Sequence, residues 1–237
     1  MKAVFDIYRK RPDEKAGRRQ KFEIEVAPGI TLLDAFHRIQ ADHDPTFAYR
    51  YSCRGAICGS CAVHINGVAA LACKTQAAPL AEKGEIVVDP LGNLPAVKDL
   101  VVEFAPFWEA FEKVRPYVLR PAETHDYQFT WHDKLDKKHQ DQLSRAILCI
   151  KCAACFSDCP KRAQDPRFIG PAASVALYKF YYDPRDVDRA ERVAIARESG
   201  SGVVACDSHA NCVKVCPKDC RPLRAINIIR QELPAAE

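Results

Sequence analysis

The sequence has little of what marks a membrane-spanning, secreted or nucleic-acid-binding protein. No stretch of its 237 residues approaches the roughly 20 consecutive apolar residues that a membrane-spanning helix needs. The N-terminus runs from Met1 into a polar, basic stretch without the apolar core of a secretory signal, so we expect the chain to stay in the compartment where it is made. A formal net charge of +4 is small for this length and gives no reason to expect nucleic-acid binding.

Cysteine is the residue that the sequence has in excess, with 12 in all. An even number of cysteines indicates disulfide bonds in small secreted proteins, but this chain has no secretory signal and is long enough to build a hydrophobic core. Clustered cysteines in such a chain instead point to metal or redox chemistry.

The first hundred residues predict strands with one capped helix. Residues 3–8 and 21–26 alternate between apolar and polar side chains and predict two strands. The basic stretch 9–21 between them is predicted to be a solvated hairpin tip. Thr31 is placed to cap a helix over residues 32–40, and Asn66-Gly67 predicts a tight hairpin.

The second half of the sequence predicts helices. Residues 96–114 are predicted to be helical with an interruption at Pro106, and the stretch through Pro116 and Pro121 reads as a connector. Further helices are predicted over residues 135–148, 172–182, 185–198 and 222–233. We therefore predict two domains, residues 1–106 and 107–237.

The first cysteine cluster has the spacing of plant-type [2Fe–2S] sites, C-x4-C-x2-C followed by one distant cysteine. Its predicted ligands are Cys53, Cys58, Cys61 and Cys73. Glycines in the loop let backbone amides approach the sulfur atoms. Zinc is the alternative, but zinc ligands usually come as two short pairs.

The second cluster, C-x2-C-x2-C-x3-C-P, matches the bacterial ferredoxin pattern in full, with cysteines at 149, 152, 155 and 159. In two-cluster ferredoxins the fourth cysteine of such a run ligates the other cluster, so a second run is expected. Cys206, Cys212 and Cys216-Pro217 supply it, but His209 stands where its middle cysteine would be.

The missing cysteine changes the predicted cofactor. Cross-ligation gives one [4Fe–4S] cluster the ligands Cys149, Cys152, Cys155 and Cys216. The other cluster receives only Cys159, Cys206 and Cys212, and losing a corner ligand favours [3Fe–4S]. A nitrogen ligand from His209 is the alternative, since His replaces Cys in some iron–sulfur centres. Cys220 is expected to remain an unligated thiol near a cluster.

The whole pattern resembles the iron–sulfur subunit of succinate dehydrogenase/fumarate reductase, respiratory complex II. The resemblance covers nearly the whole chain. It rests on residues 51–61, 98–102, 149–160, 168–171 and 211–218. It implies an α+β protein, with an N-terminal β-grasp plant-type [2Fe–2S] ferredoxin domain followed by an all-α bacterial-ferredoxin-like domain.

The resemblance also implies the partners. An FAD-containing flavoprotein subunit would interconvert succinate and fumarate beside the [2Fe–2S] domain. A membrane-anchor subunit with a quinone would face the [3Fe–4S] end, so the chain would lie peripherally on the inner face of the cytoplasmic or mitochondrial inner membrane. No catalytic acid or base is expected in this chain.

Two positions depart from the family's ubiquinone-reducing members. Those proteins have a Trp a few residues past the first Cys-Pro and a His directly after the first cysteine of the second run, where this sequence has Gln164 and Asp207. The choice between ubiquinone and menaquinone therefore stays open. Pro160, Lys161 and Gln164 are the candidates for the quinone vicinity.

Two other functions compete with this hypothesis. The chain would be a soluble multi-cluster electron carrier if it delivered electrons to another dehydrogenase or reductase. It would be a structural scaffold if its cysteines bound zinc rather than iron–sulfur clusters.

Overall fold

The computed structural model of the chain describes residues 1–119 and 135–233. Its contacts divide the chain into two compact units. The first consists of Met1–Pro106 with Ile150–Asp158, and the second of Phe107–Cys149 with Cys159–Glu237. The segment Ile150–Asp158, which carries part of the first ferredoxin run, thus groups with the N-terminal residues.

The first unit is built on a five-stranded mixed sheet with the order β2-β1-β5-β3-β4. Its strands are β1 (Lys2–Arg9), β2 (Arg18–Glu25), β3 (Ala62–Ile65), β4 (Val68–Leu71) and β5 (Ile86–Asp89). The central pair β1 and β5 is parallel, and the other neighbours are antiparallel. Because side chains alternate along a strand, Phe5 and Ile7 of β1 and Ile86 and Val88 of β5 are buried in one core.

The helix α1 (Leu32–Arg38) begins where its sequence predicts. Thr31 Oγ1 accepts a hydrogen bond from the Asp34 N–H, and the Asp34 carboxylate accepts one from the Thr31 N–H. This capping box satisfies backbone donors that the first turn leaves unpaired. Residues Ile39–His43 continue as a π-helical turn. A short helix, α2 (Ala78–Ala81), precedes β5.

The predicted hairpin forms at Asn66-Gly67. Both residues have positive φ, 50° and 80°, as a type I′ turn requires. The turn joins β3 to β4 in a register that pairs Ala62 with Leu71.

The prediction of a helix over residues 96–104 is wrong. This stretch forms two short antiparallel strands, β6 (Ala96–Lys98) and β7 (Val101–Val102), and the helix α3 (Ala105–Glu112) begins only afterwards. Asp99 lies between the strands with φ 46°, and its buried carboxylate accepts hydrogen bonds from Arg9 Nε and the Ala48 N–H. These long-range bonds hold a left-handed turn that local helix propensity does not predict.

The prediction of a fully solvated basic tip over residues 9–21 is wrong at its first residue. Arg9 continues the inward positions of β1 and is only 3% exposed. Its guanidinium lies 3.0 Å from Asp99 and 2.8 Å from Asp44. Burial of an arginine is tolerated when carboxylates pair with it in this way.

All regular elements in the described part of the second unit are helical. After α3 they are α4 (Lys137–Leu143), α6 (Pro160–Gln164), α7 (Gly170–Tyr181), α8 (Arg189–Arg197), α9 (Asn211–Lys214) and α10 (Pro222–Glu232). The helix α5 (Ala154–Ser157) belongs to the first unit. The long helix α7 is almost wholly buried, and α10 packs against it. Among the described helices none has the length and hydrophobicity to cross a membrane. Pro121 of the predicted connector lies outside the described residues.

Candidate metal centres

The loop that follows Cys53 turns its backbone amides towards that cysteine. The N–H groups of Gly55, Ile57 and Cys58 all donate to Cys53 Sγ, at 3.4, 3.3 and 3.2 Å. Amides that converge on one sulfur suit a thiolate that ligates iron, because such hydrogen bonds stabilise negative charge on the ligand.

Left-handed backbone produces this convergence. Arg54 and Ala56 have φ of 55° and 56°, and Gly59 has φ of 76°. A left-handed residue alternating with ordinary ones makes a concave nest of N–H groups, which binds anionic groups such as iron–sulfur clusters. Non-glycine residues adopt this backbone at some energetic cost, so its repetition in one loop indicates a functional constraint.

The β3–β4 hairpin brings the remaining two cysteines of this set together. Cys61 directly precedes β3, and Cys73 follows the end of β4 by two residues. The Cys73 N–H donates to Cys61 Sγ at 3.5 Å. Burial raises the pKa of the Cys61 thiol to about 12, whereas a hydrogen bond from the Ser60 side chain lowers the pKa of Cys58 to about 6.

Gly59 packs directly on the first ferredoxin run, within the first unit. A Cβ atom at Gly59 would lie 2.6 Å from Cys152 Cβ and 3.0 Å from Cys152 Cα. Only glycine leaves space for so close an approach, and its φ of 76° also favours glycine. The loop of the first cysteine set is therefore in contact with Cys152, a predicted ligand of the [4Fe–4S] cluster.

The first run and the second run have the same backbone pattern. Each begins after a 3-10 turn (Ala146–Leu148 or Val203–Ala205), and each ends in a short helix, α5 or α9. Each has two left-handed residues at matching places, Lys151 and Ala153 in one and Ser208 and Ala210 in the other. Between those two residues stands Cys152 in the first run and His209 in the second. The backbone therefore places His209 at the position of the missing cysteine.

Three cysteines of the second unit line one pocket, which is open to solvent. The residues around it are Cys159, Pro160, Lys161, Cys206, His209 and Cys212, with others. Burial raises the pKa of the Cys212 thiol to about 12 and also raises the pKa of the Cys159 thiol. This is the predicted [3Fe–4S] set.

Polar side chains lie at the edge of this pocket. Lys161 Nζ is 3.6 Å from Asp207 Oδ2, and His209 Nε2 is 4.0 Å from the same oxygen. Of the three candidates for the quinone vicinity, Pro160 and Lys161 line the pocket, while Gln164 at the end of α6 does not.

The other predicted ligands belong to different units. Cys152 and Cys155 lie in the first unit, and Cys149 and Cys216 in the second. All twelve cysteines fall within the described residues, and none of them forms a disulfide bond there. No group of three His, Cys, Asp or Glu side chains in residues 1–119 and 135–233 is arranged to hold a single metal ion.

Comparison with known proteins identifies the family. Residues 4–109 match the family model of the 2Fe-2S iron-sulfur cluster binding domain, and residues 143–217 match that of the 4Fe-4S dicluster domain. The succinate dehydrogenase iron-sulfur subunit of Coxiella burnetii is 36% identical over 235 residues, which cover 97% of this chain and 96% of that protein. The chain belongs to the iron–sulfur subunits of succinate dehydrogenase and fumarate reductase.

Further relatives of this iron–sulfur subunit come from both halves of the family. The fumarate reductase iron-sulfur subunit of Haemophilus influenzae is 34% identical over 215 residues, covering 87% of this chain and 82% of that protein. The Mycobacterium smegmatis Sdh1 complex in the apo form contains a chain of the same fold, with a TM-score of 0.84, 24% identity and coverage of 98% and 95%. The resemblance drawn from the sequence and the predicted α+β order of domains are confirmed.

Three relationships in this iron–sulfur subunit were not visible in the sequence. The contact of Gly59 with Cys152 joins residues about a hundred positions apart. Cys220 lies beside two predicted cluster ligands. His64 binds the segment that carries Cys152 and Cys155. For Cys220, the sequence gives one signal, since this cysteine is left over from the three ligand sets. The contacts of Gly59 and His64 depend on tertiary structure and have no signal in the sequence.

Proposed function

We propose that this subunit conducts single electrons between the FAD of a flavoprotein subunit and a membrane quinone, in a succinate:quinone oxidoreductase. Iron–sulfur clusters supply one-electron redox chemistry when they are bound. The observation that carries the proposal is the contact of Gly59 with Cys152. This contact brings the loop of the first cysteine set against the first ferredoxin run, and electron transfer in single file needs successive clusters to be neighbours in this way.

The residues fit the three clusters as follows. The nest of amides around Cys53 suits [2Fe–2S], held by Cys53, Cys58, Cys61 and Cys73. The first three cysteines of the first run, together with Cys216, would supply four thiolates for [4Fe–4S], namely Cys149, Cys152, Cys155 and Cys216.

The third set has three thiolates and supports [3Fe–4S]. Cys159, Cys206 and Cys212 share one pocket, and His209 holds the place of the fourth cysteine at its edge. The His209 side chain is 43% exposed, whereas Cys159 and Cys212 are buried. A site with one thiolate fewer carries less negative charge, which raises its reduction potential and suits it to a quinone.

The partners follow from family membership. The flavoprotein subunit would hold the succinate/fumarate site, and a membrane anchor would hold this chain at the inner face of the membrane. Pro160 and Lys161 would lie on the quinone side, because they line the pocket of the third cysteine set. Gln164 ends the same helix, α6, and would be further from that pocket.

Purification of the native complex from membranes tests the proposal. The expected result is co-purification of an FAD-containing subunit, a reduced-state [2Fe–2S] EPR signal and an oxidised-state [3Fe–4S] signal. The same clusters without a flavoprotein would favour the soluble carrier. Bound zinc without either EPR signal would overturn both and favour the scaffold.

A further inference from the structure

Cys220 is the cysteine that the proposed ligand sets leave unused. It lies between α9 and α10 and is only 5% exposed. The three sets use every other cysteine of the chain, and the Cys-Pro signature belongs to Cys216 rather than to Cys220. A buried thiol with no assigned role therefore lies four residues after a proposed ligand of the [4Fe–4S] cluster.

The turn around Cys220 directs it towards two proposed ligands, all within the second unit. Its backbone N–H donates to Cys216 Sγ at 3.3 Å. Its thiol is within hydrogen-bonding reach of the sulfur atoms of both Cys149 and Cys216. A thiol is a weak donor, and a thiolate that ligates iron is an acceptor.

The backbone and two ion pairs fix this turn. The residues on either side of Cys220 are left-handed, with φ of 52° at Asp219 and 51° at Arg221. Asp219 is paired with Arg221 at 3.1 Å and with Arg145 at 2.8 Å. Because Arg145 lies just before the segment that leads to Cys149, the second pair ties the turn to that segment.

We propose that Cys220 donates S–H hydrogen bonds to the ligand sulfurs of Cys149 and Cys216 and thereby raises the reduction potential of the [4Fe–4S] cluster. This inference rests on the proposed function, because it takes the ligand set from there. Reduction adds negative charge that is shared with the ligand sulfurs, so a donor beside them stabilises the reduced state more than the oxidised state. Cys220 is thus a positioning and tuning residue rather than a ligand.

Two variants of the complete complex test the role. Cys220→Ala removes the donor, and Cys220→Ser keeps a donor of similar size. Redox titration followed by EPR measures the potential of each cluster, with the [2Fe–2S] and [3Fe–4S] signals as internal controls. In Cys220→Ala we expect a lower potential of the [4Fe–4S] cluster alone. At the wild-type midpoint its reduced-to-oxidised ratio should fall at least about threefold, as for the loss of one weak hydrogen bond. In Cys220→Ser the potential should stay at or above that of the wild type.

Three outcomes would overturn the proposal. An unchanged potential in both variants would mean that the thiol does not act on the cluster. An equal fall in both would assign the effect to packing. Loss of the [4Fe–4S] cluster alone in Cys220→Ala would make Cys220 a ligand or a structural residue. Absence of all clusters from the wild-type complex would instead contradict the proposed function.

A measurement on the wild-type complex remains decisive if the variants do not assemble. Cys220 would be the only protonated thiol of the subunit, so an infrared difference spectrum between cluster redox states should show a shift of an S–H band assigned to this subunit by cysteine isotope labelling. An S–H band that does not respond to cluster reduction, or no such band, would contradict the inference.

Discussion

His64 Nε2 lies 2.6 Å from Asp158 Oδ1, and this pair joins strand β3 to the segment Ile150–Asp158 within the first unit. Ser157 Oγ lies 2.8 Å from the same nitrogen. The second oxygen of Asp158 accepts a hydrogen bond from the Ala69 N–H on β4. One side chain and one backbone N–H of the β3–β4 hairpin therefore hold the residues that follow Cys155.

Replacement of His64 should loosen this segment. His64→Ala leaves the Asp158 carboxylate, whose side chain is 10% exposed, without its imidazole partner, at a cost of about 1–3 kcal/mol. We expect a lower unfolding temperature and faster loss of [4Fe–4S] iron, measured by visible absorbance during heating. His139→Ala is the control, because His139 pairs with Asp136 only locally, at an exposed helix start. Equal effects of the two substitutions would contradict the anchoring role.

The contact of Gly59 with Cys152 can be tested with a matched glycine. Gly59→Ala and Gly67→Ala impose the same left-handed strain, about 1 kcal/mol, since φ is 76° and 80°. A Cβ at Gly67 meets nothing within 4 Å, whereas one at Gly59 would overlap Cys152. We expect Gly59→Ala alone to reduce both the [2Fe–2S] and the [4Fe–4S] content, as measured by iron analysis and EPR. Normal occupancy of both clusters in Gly59→Ala would show that the close approach is dispensable.

His209 should decide the type of the third cluster. Its backbone position matches that of Cys152, so His209→Cys supplies a fourth thiolate and should convert the cluster towards [4Fe–4S] with a lower potential. The oxidised-state [3Fe–4S] EPR signal should fall accordingly. Ser208→Cys adds a thiol one residue away and should leave the signal intact. If His209→Cys also leaves it intact, the register of the second run is misassigned.

Lys161 should affect the quinone step and not the flavin step. Lys161→Gln removes a charge at the pocket of the third cysteine set. Quinone-dependent succinate oxidation should fall by up to about tenfold, the factor equivalent to one charge-assisted hydrogen bond. The rate with an artificial acceptor that takes electrons from the flavin should be unchanged. Lys138→Gln on α4 controls for surface charge. A normal quinone rate in Lys161→Gln would place the quinone elsewhere.

Local sequence signals predicted the elements that local interactions stabilise. The Thr31 cap and the Asn66-Gly67 turn depend on residues within a few positions of one another, and both formed as predicted. Residues 96–104 did not form the predicted helix, because Asp99 binds Arg9 and the backbone of Ala48, which are distant in sequence. Arg9 is buried for the same reason.

The candidate metal centres also combine features that the local sequence predicts with features that depend on long-range contacts. Cysteine spacing predicted three ligand sets, because each loop has a length that suits its cluster, and the assignment of each ligand stays a prediction. The spacing did not indicate that Gly59 packs on Cys152, or that Cys220 reaches Cys149 and Cys216. The contacts of Gly59 with Cys152 and of Cys220 with Cys149 join residues that are distant in sequence, so the spacing of the cysteines does not predict them.

The shared backbone of the two cysteine runs has a consequence for how such a subunit can change over evolutionary time. The second run keeps both left-handed residues of a four-cysteine loop although it has only three cysteines. A loop of this shape accommodates either a cysteine or a histidine at its centre, because the backbone is the same around Cys152 and around His209. Exchange of histidine for cysteine at this single site would then change the number of iron atoms and the reduction potential of the last cluster. The rest of the subunit would remain compatible with its partner subunits.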